Sequence, residues 1–275
     1  MDEKEIKEIK QSLAIKLEKH ISIIKEEYKE FVPIDTLNFL NSINNYEELI
    51  KIADTGTITC YVKNRKIYLP LLANKFLGYL KRVPGFGVRP KHKTYTSDTL
   101  VLNDNTFNTY LIHAFLSGLS TEGFYEEMLL HEVMHLCGMN GSNALLEGLT
   151  ELKTRELAKK YDLKTNACGY PKEVKIVYKL QEIFGVSLMN KIAFSRSSLE
   201  RRMIILEELG EEALRLFEEV NQLMEEEFHN KYYKQVFSFN GIRAPFIKTK
   251  KYNELDYTKV YEFLDRYCKS KEPKR

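Results

Sequence analysis

The sequence predicts an α+β fold that is mostly helical, with a small β-sheet and helices before and after it in the chain. Three observations carry that reading. Apolar residues recur at three- and four-residue intervals through most of the chain, which is the helical period. Two β-branched and aromatic runs, 57–62 and 66–70, enclose a polar Lys63-Asn64-Arg65 turn and read as a hairpin. From Tyr161 onward only helices and connectors are found. The expected organisation is an N-terminal helical segment (1–56), a central core (57–160), and a helical C-terminal subdomain (161–275) packed on that core.

In chain order, residues 2–30 read as one helix, because Ile6, Ile9, Leu13, Leu17, His20 and Ile24 fall on one stripe. Pro33 ends or follows it, and two short helices are expected at 35–43 and 46–53. The N-terminal arm reads as a helix packed on the core rather than as a regulatory cover. After the hairpin, Thr99–Leu102 is expected as a strand. Ser120 is a suitable N-cap for a helix running to Leu136, with Gly138 at its C-terminal stop. Asn143 can cap a second helix over 144–160. Further helices are expected over 171–184, from Ser198 to Leu209, from Glu211 to about Val236, and over 257–269.

Bulk properties narrow the function classes. At 275 residues, with 15 Phe and 17 Tyr, the chain has enough aromatic bulk for a sizeable core. A net charge of +3 is too small to argue for nucleic acid or an acidic membrane surface as partner. No stretch approaches the ~18 apolar residues of a membrane span. The charged start, Met1 to Lys7, does not read as a secretory signal. The four cysteines, Cys60, Cys137, Cys168 and Cys268, form no CxxC pair, so they read as free thiols in a reducing compartment. A cytoplasmic location follows as the expectation, and the oligomeric state is left open.

One stretch carries chemistry. Leu130-His131-Glu132-Val133-Met134-His135-Leu136 spells H-E-x-x-H inside an apolar helix. Two imidazoles four residues apart share one helix face, so both can ligate one divalent metal. Glu132, beside the first histidine, is placed to act on a metal-bound water rather than on the metal. The helix is apolar on most sides, so a polar stripe within it needs partners, and a metal supplies them. Twelve residues after His135 comes Glu147-Gly148-Leu149-Thr150-Glu151, a source for a third, carboxylate ligand. Glu147 and Glu151 are i,i+4 and point to one side of their helix, so on geometry alone either could be that ligand.

These residues resemble the gluzincin branch of zincin metallopeptidases. The resemblance rests on His131–His135 with the Glu147–Glu151 stretch and covers about residues 120–160 closely. It implies a zincin-like catalytic core, with His131, His135 and Glu147 as ligands of one Zn²⁺ per chain. It further implies Glu132 as general base and Glu151 as a carboxylate orienting a ligand histidine. The interval from His135 to Glu147 is shorter than in the large gluzincins, which marks a compact variant. The metzincin pattern fails, because its third histidine would fall at Gly141. Peptide deformylase is set aside because Cys60 lacks that enzyme's motif.

The expected activity is peptide-bond hydrolysis by a metal-activated water, on a peptide or protein substrate. Tyr170 is the candidate donor to the developing oxyanion, with His229 and Tyr232 as weaker candidates. The alternative expectation is a catalytically silent zincin-fold protein, serving a regulatory or structural binding role.

Overall fold

A computed structural model of the chain describes residues 3–52, 58–62, 65–69, 99–100, 121–139, 143–165, 167, 169–228 and 255–271. The chain divides into two compact units. The first is Met1–Cys137 with Leu157–Ala167, and the second is Gly138–Glu156 with Cys168–Arg275.

In the first unit, α1 (Glu3–Glu27) buries Leu13, Leu17, His20 and Ile24 of the predicted stripe completely, and Ile21, off that stripe, is buried with them. Tyr28 and Val32 extend that core past the helix end. Helix α2 (Ile34–Asn41) starts directly after Pro33. The expected helix over 46–53 is not formed. Asn45 accepts a hydrogen bond from the Glu47 amide (3.0 Å) and closes a short 3-10 turn, Tyr46–Leu49. The alternating Ile50-Lys51-Ile52 then becomes strand β1, because β-branched residues at period two favour extended backbone.

Strands β2 (Ile58–Val62), β3 (Arg65–Leu69) and β4 (Thr99–Leu100) follow, in the order β1-β2-β3-β4. The first two pairings are antiparallel and β3–β4 is parallel, with Cys60 opposite Ile67. Helix α3 (Thr121–Leu136) carries the H-E-x-x-H stretch. It ends at Gly138, whose φ of +132° favours glycine. Helix α1 is tied to α3 through Glu126, which meets His20 Nε2 at 2.8 Å and also pairs with Lys16.

In the second unit, α4 (Ala144–Lys160) contributes its part up to Glu156; its last turn belongs to the first unit. Asn143 caps α4 as the sequence suggests, accepting from the Leu146 amide at 2.9 Å, and Glu225 accepts from the Ala144 amide. Helices α5 (Pro171–Phe184), α6 (Val186–Ala193), α7 (Ser198–Leu209), α8 (Glu211–Glu227) and α9 (Thr258–Lys271) follow. Gly185, at φ +88°, divides α5 from α6; the latter was not expected from sequence. The core of this unit includes Val177, Leu180, Met189, Ile192, Leu216, Val220 and Leu264.

The expected fold class is corrected by these observations. The described residues are mostly helical, and an α+β zincin core built on a β-sheet is not shown. No described strand exceeds five residues. The physical reason is proportion. The β-forming runs are short, whereas helices occupy 3–27, 121–136, 144–160, 171–184, 186–193, 198–209 and 211–227. Residues 70–98 and 101–120, including the expected Ser120 cap, lie outside the described residues. Among the described residues no helix is long and apolar enough to cross a membrane.

Candidate metal centre

Helix α3 is buried on nearly every side where its side chains are described. Leu129, Leu130, Val133, Met134 and Cys137 are fully enclosed, and His131, Glu132 and His135 are 6, 5 and 7% exposed. Two imidazoles and a carboxylate in such surroundings require compensating interactions. The i,i+4 spacing brings the two rings together: their centroids are 4.9 Å apart with planes at 70°, and the two Nε2 atoms are 3.2 Å apart. Donors bound to one tetrahedral zinc at ~2.0–2.1 Å are separated by ~3.3 Å. The two nitrogens therefore already stand at ligand separation.

Glu147 lies in the first turn of α4 and is buried. Ligand atoms of His131, His135 and Glu147 all lie within 4.8 Å of one another. Two neutral imidazoles and one carboxylate form the His₂Glu donor set that suits zinc with one position left open. The residues present fit the metal.

Glu151 is placed differently. It is 2% exposed and accepts a hydrogen bond from Arg155 Nε at 2.9 Å, one turn further along α4. Arg155 also donates from Nη2 to the Gly169 carbonyl. A Cβ at Gly169 would stand 2.8 Å from both Cδ and Oε2 of Glu151, so a side chain there would push this carboxylate out of its present place. Gly148, between Glu147 and Leu149, has a similar role. A Cβ there would be 2.7 Å from the Glu173 Cβ and 2.9 Å from its carbonyl carbon. The chain from Gly169 to Glu173 thus runs along the Gly148–Glu151 turn of α4.

That arrangement is held by buried polar contacts. Glu173 is fully buried and accepts from the Tyr257 hydroxyl at 2.5 Å. Lys153, also fully buried, donates to Gln181 Oε1 at 2.6 Å and Glu156 Oε2 at 2.9 Å. Burial pushes the Lys153 ammonium pKa down, and the neighbouring Glu156 offsets part of that shift. On α3, burial pushes the Glu126 carboxyl up, but hydrogen bonds and charges from His20 and Lys16 outweigh it. The result is a pKa lowered to about 2.

Tyr170 immediately precedes α5, in a left-handed conformation at φ +43°, and its ring is 6.4 Å from that of Phe228. Its chain neighbour Gly169 lies against the Glu151 carboxylate. The weaker candidates His229 and Tyr232 lie outside the described residues, as do His92 and His113. Cys137 is fully buried.

Arg155, Gly169 and Glu173 were missed by sequence reasoning. Arg155 had a readable signal, since it stands four residues after Glu151 on one helix. The two glycine contacts join residues distant in sequence and have no local signature. Comparison with known protein families, curated proteins and solved structures found no match.

Proposed function

We propose that the chain is a zinc-dependent peptidase of the gluzincin type. His131, His135 and Glu147 are the metal ligands, and Glu132 is the general base. The observation that carries this reading is the buried donor set, with imidazole nitrogens 3.2 Å apart and a carboxylate oxygen within 4.8 Å of both.

When bound, zinc polarises a carbonyl and lowers the pKa of water toward ~7. The protein's own groups do the rest. His131 and His135 present neutral Nε2 lone pairs, and the apolar residues of α3 keep bulk water away from them. Glu132 takes the proton of the attacking water and delivers it to the leaving amine. Tyr170 donates its phenolic hydrogen to the oxyanion that develops on the scissile carbonyl. The substrate is a peptide or protein, one zinc serves each chain, and the expected compartment is the cytoplasm.

Zinc content measured with hydrolysis of a broad peptide library tests the reading. The expected result is about one zinc per chain and cleavage that is lost on chelation and regained with zinc. A zinc-replete chain that cleaves no peptide would overturn the peptidase reading.

A further inference from the structure

We propose that Arg155 is a positioning residue that keeps the metal site three-liganded, by holding Glu151 against Gly169 so that only Glu147 can ligate. The inference rests on the metal-site reading above. Glu147 and Glu151 are chemically identical, both buried, and one turn apart on the same side of α4. Their difference lies in what surrounds them. Glu151 Oε1 accepts from Arg155 Nε at 2.9 Å, and Oε2 lies where a Cβ on Gly169 would be 2.8 Å away. Arg155 closes the frame by donating from its other arm to the Gly169 carbonyl. The carboxylate is boxed between a guanidinium and a backbone.

The consequence concerns the type of zinc site. Three protein ligands with an open fourth position characterise catalytic zinc, whereas four protein ligands characterise closed, structural zinc. If both α4 carboxylates reached the metal, the set would be two histidines and two glutamates, and the open position would be lost. A guanidinium-paired carboxylate is neutralised and directionally fixed, so it competes poorly as a ligand. Arg155 thereby separates the ligand carboxylate from the supporting one, which the spacing alone does not do.

The test uses the full chain loaded with Co²⁺ in place of zinc, with azide as the probe for the open position. Wild type is expected to show an azide-induced shift of its visible absorption, and Glu151→Gln to bind cobalt within tenfold of wild type. Arg155→Met frees Glu151, so its spectrum should change and azide should bind at least about tenfold more weakly. The double variant Arg155→Met/Glu151→Gln should recover wild-type azide binding, a rescue that general destabilisation does not give. Azide binding by Arg155→Met within about twofold of wild type overturns the inference. So does a tenfold loss of cobalt affinity in Glu151→Gln, which would make Glu151 a ligand. If Arg155→Met does not fold, the Glu151→Gln arm decides alone. A wild-type chain that takes up no cobalt overturns the metal-site reading itself, and this inference with it.

Discussion

The Nε2 atoms of His131 and His135 face each other at 3.2 Å although their rings meet at 70°. Two buried imidazoles pointing at one spot either share a proton or share a metal. A carboxylate oxygen of Glu147 lies within 4.8 Å of a ring nitrogen of each, which completes the donor set on which the zinc proposal rests. Zinc bound only by the folded chain stabilises it by ~2.7 kcal/mol at a hundredfold excess over Kd. Chelation should therefore lower the melting temperature, and zinc should restore it. In His135→Ala or Glu147→Ala the zinc-dependent rise should vanish along with bound zinc. An undiminished rise in both variants would remove these residues from the ligand set.

Glu132 lies between His131 and His135 in sequence and is buried beside them on α3. Its expected work is proton transfer, which contributes ~10²–10⁴-fold to such reactions. Glu132→Gln should keep its zinc and melting temperature while peptide hydrolysis falls by at least about a hundredfold. Metal analysis, a melting curve and a rate on the same sample separate the two roles. Parallel loss of zinc and rate would make Glu132 a ligand or a structural group instead.

Much of the candidate site was legible because its signals are local. His131, Glu132 and His135 follow from one helical turn, and Asn143 from a capping position four residues before Glu147. The α+β expectation failed because a sheet depends on pairings between distant segments, while helix bonds close within four residues. The 46–53 region shows the same limit. Its helical spacing lost to the Asn45 side chain and to the strand pairing of Ile50 with Cys60. The Glu151–Arg155–Gly169 frame needed the chain to return after Lys160, and no periodicity encodes where it returns.

Glu126 gives the protein an acid-sensitive tie between α1 and α3. Its folded-state pKa is about 2, against an ordinary value of 4.5, so below pH 4.5 the folded state holds fewer protons than the unfolded one. The stabilisation is complete above pH 4.5 and is lost as pH falls through the window toward 2. With allowance for solvent around the partly exposed Lys16, the contribution is on the order of 1–2 kcal/mol. Glu126→Gln should be less stable than wild type by that amount at neutral pH, and the gap should close in acid. Urea unfolding of both proteins across pH 7 to 2.5 measures it. A gap that stays constant with pH would assign the loss to packing rather than to charge.

Gly148 packs the turn of α4 that carries Glu147 against the start of α5. A methyl group there would meet Glu173 at 2.7 Å through its Cβ and at 2.9 Å through its backbone carbon. Neither atom is the free end of a flexible side chain, and Glu173 is also anchored by Tyr257 at 2.5 Å. The two helices must therefore separate, and overpacking of this kind costs ~1–3 kcal/mol. Alanine is otherwise the better helix former by ~1 kcal/mol, so intrinsic propensity alone predicts a gain. The opposite signs make Gly148→Ala decisive. The expected outcome is a lower unfolding free energy together with weaker zinc binding, because Glu147 shares the displaced turn. A Gly148→Ala chain that is more stable than wild type, with unchanged zinc affinity, would show that α5 does not position the turn that carries Glu147.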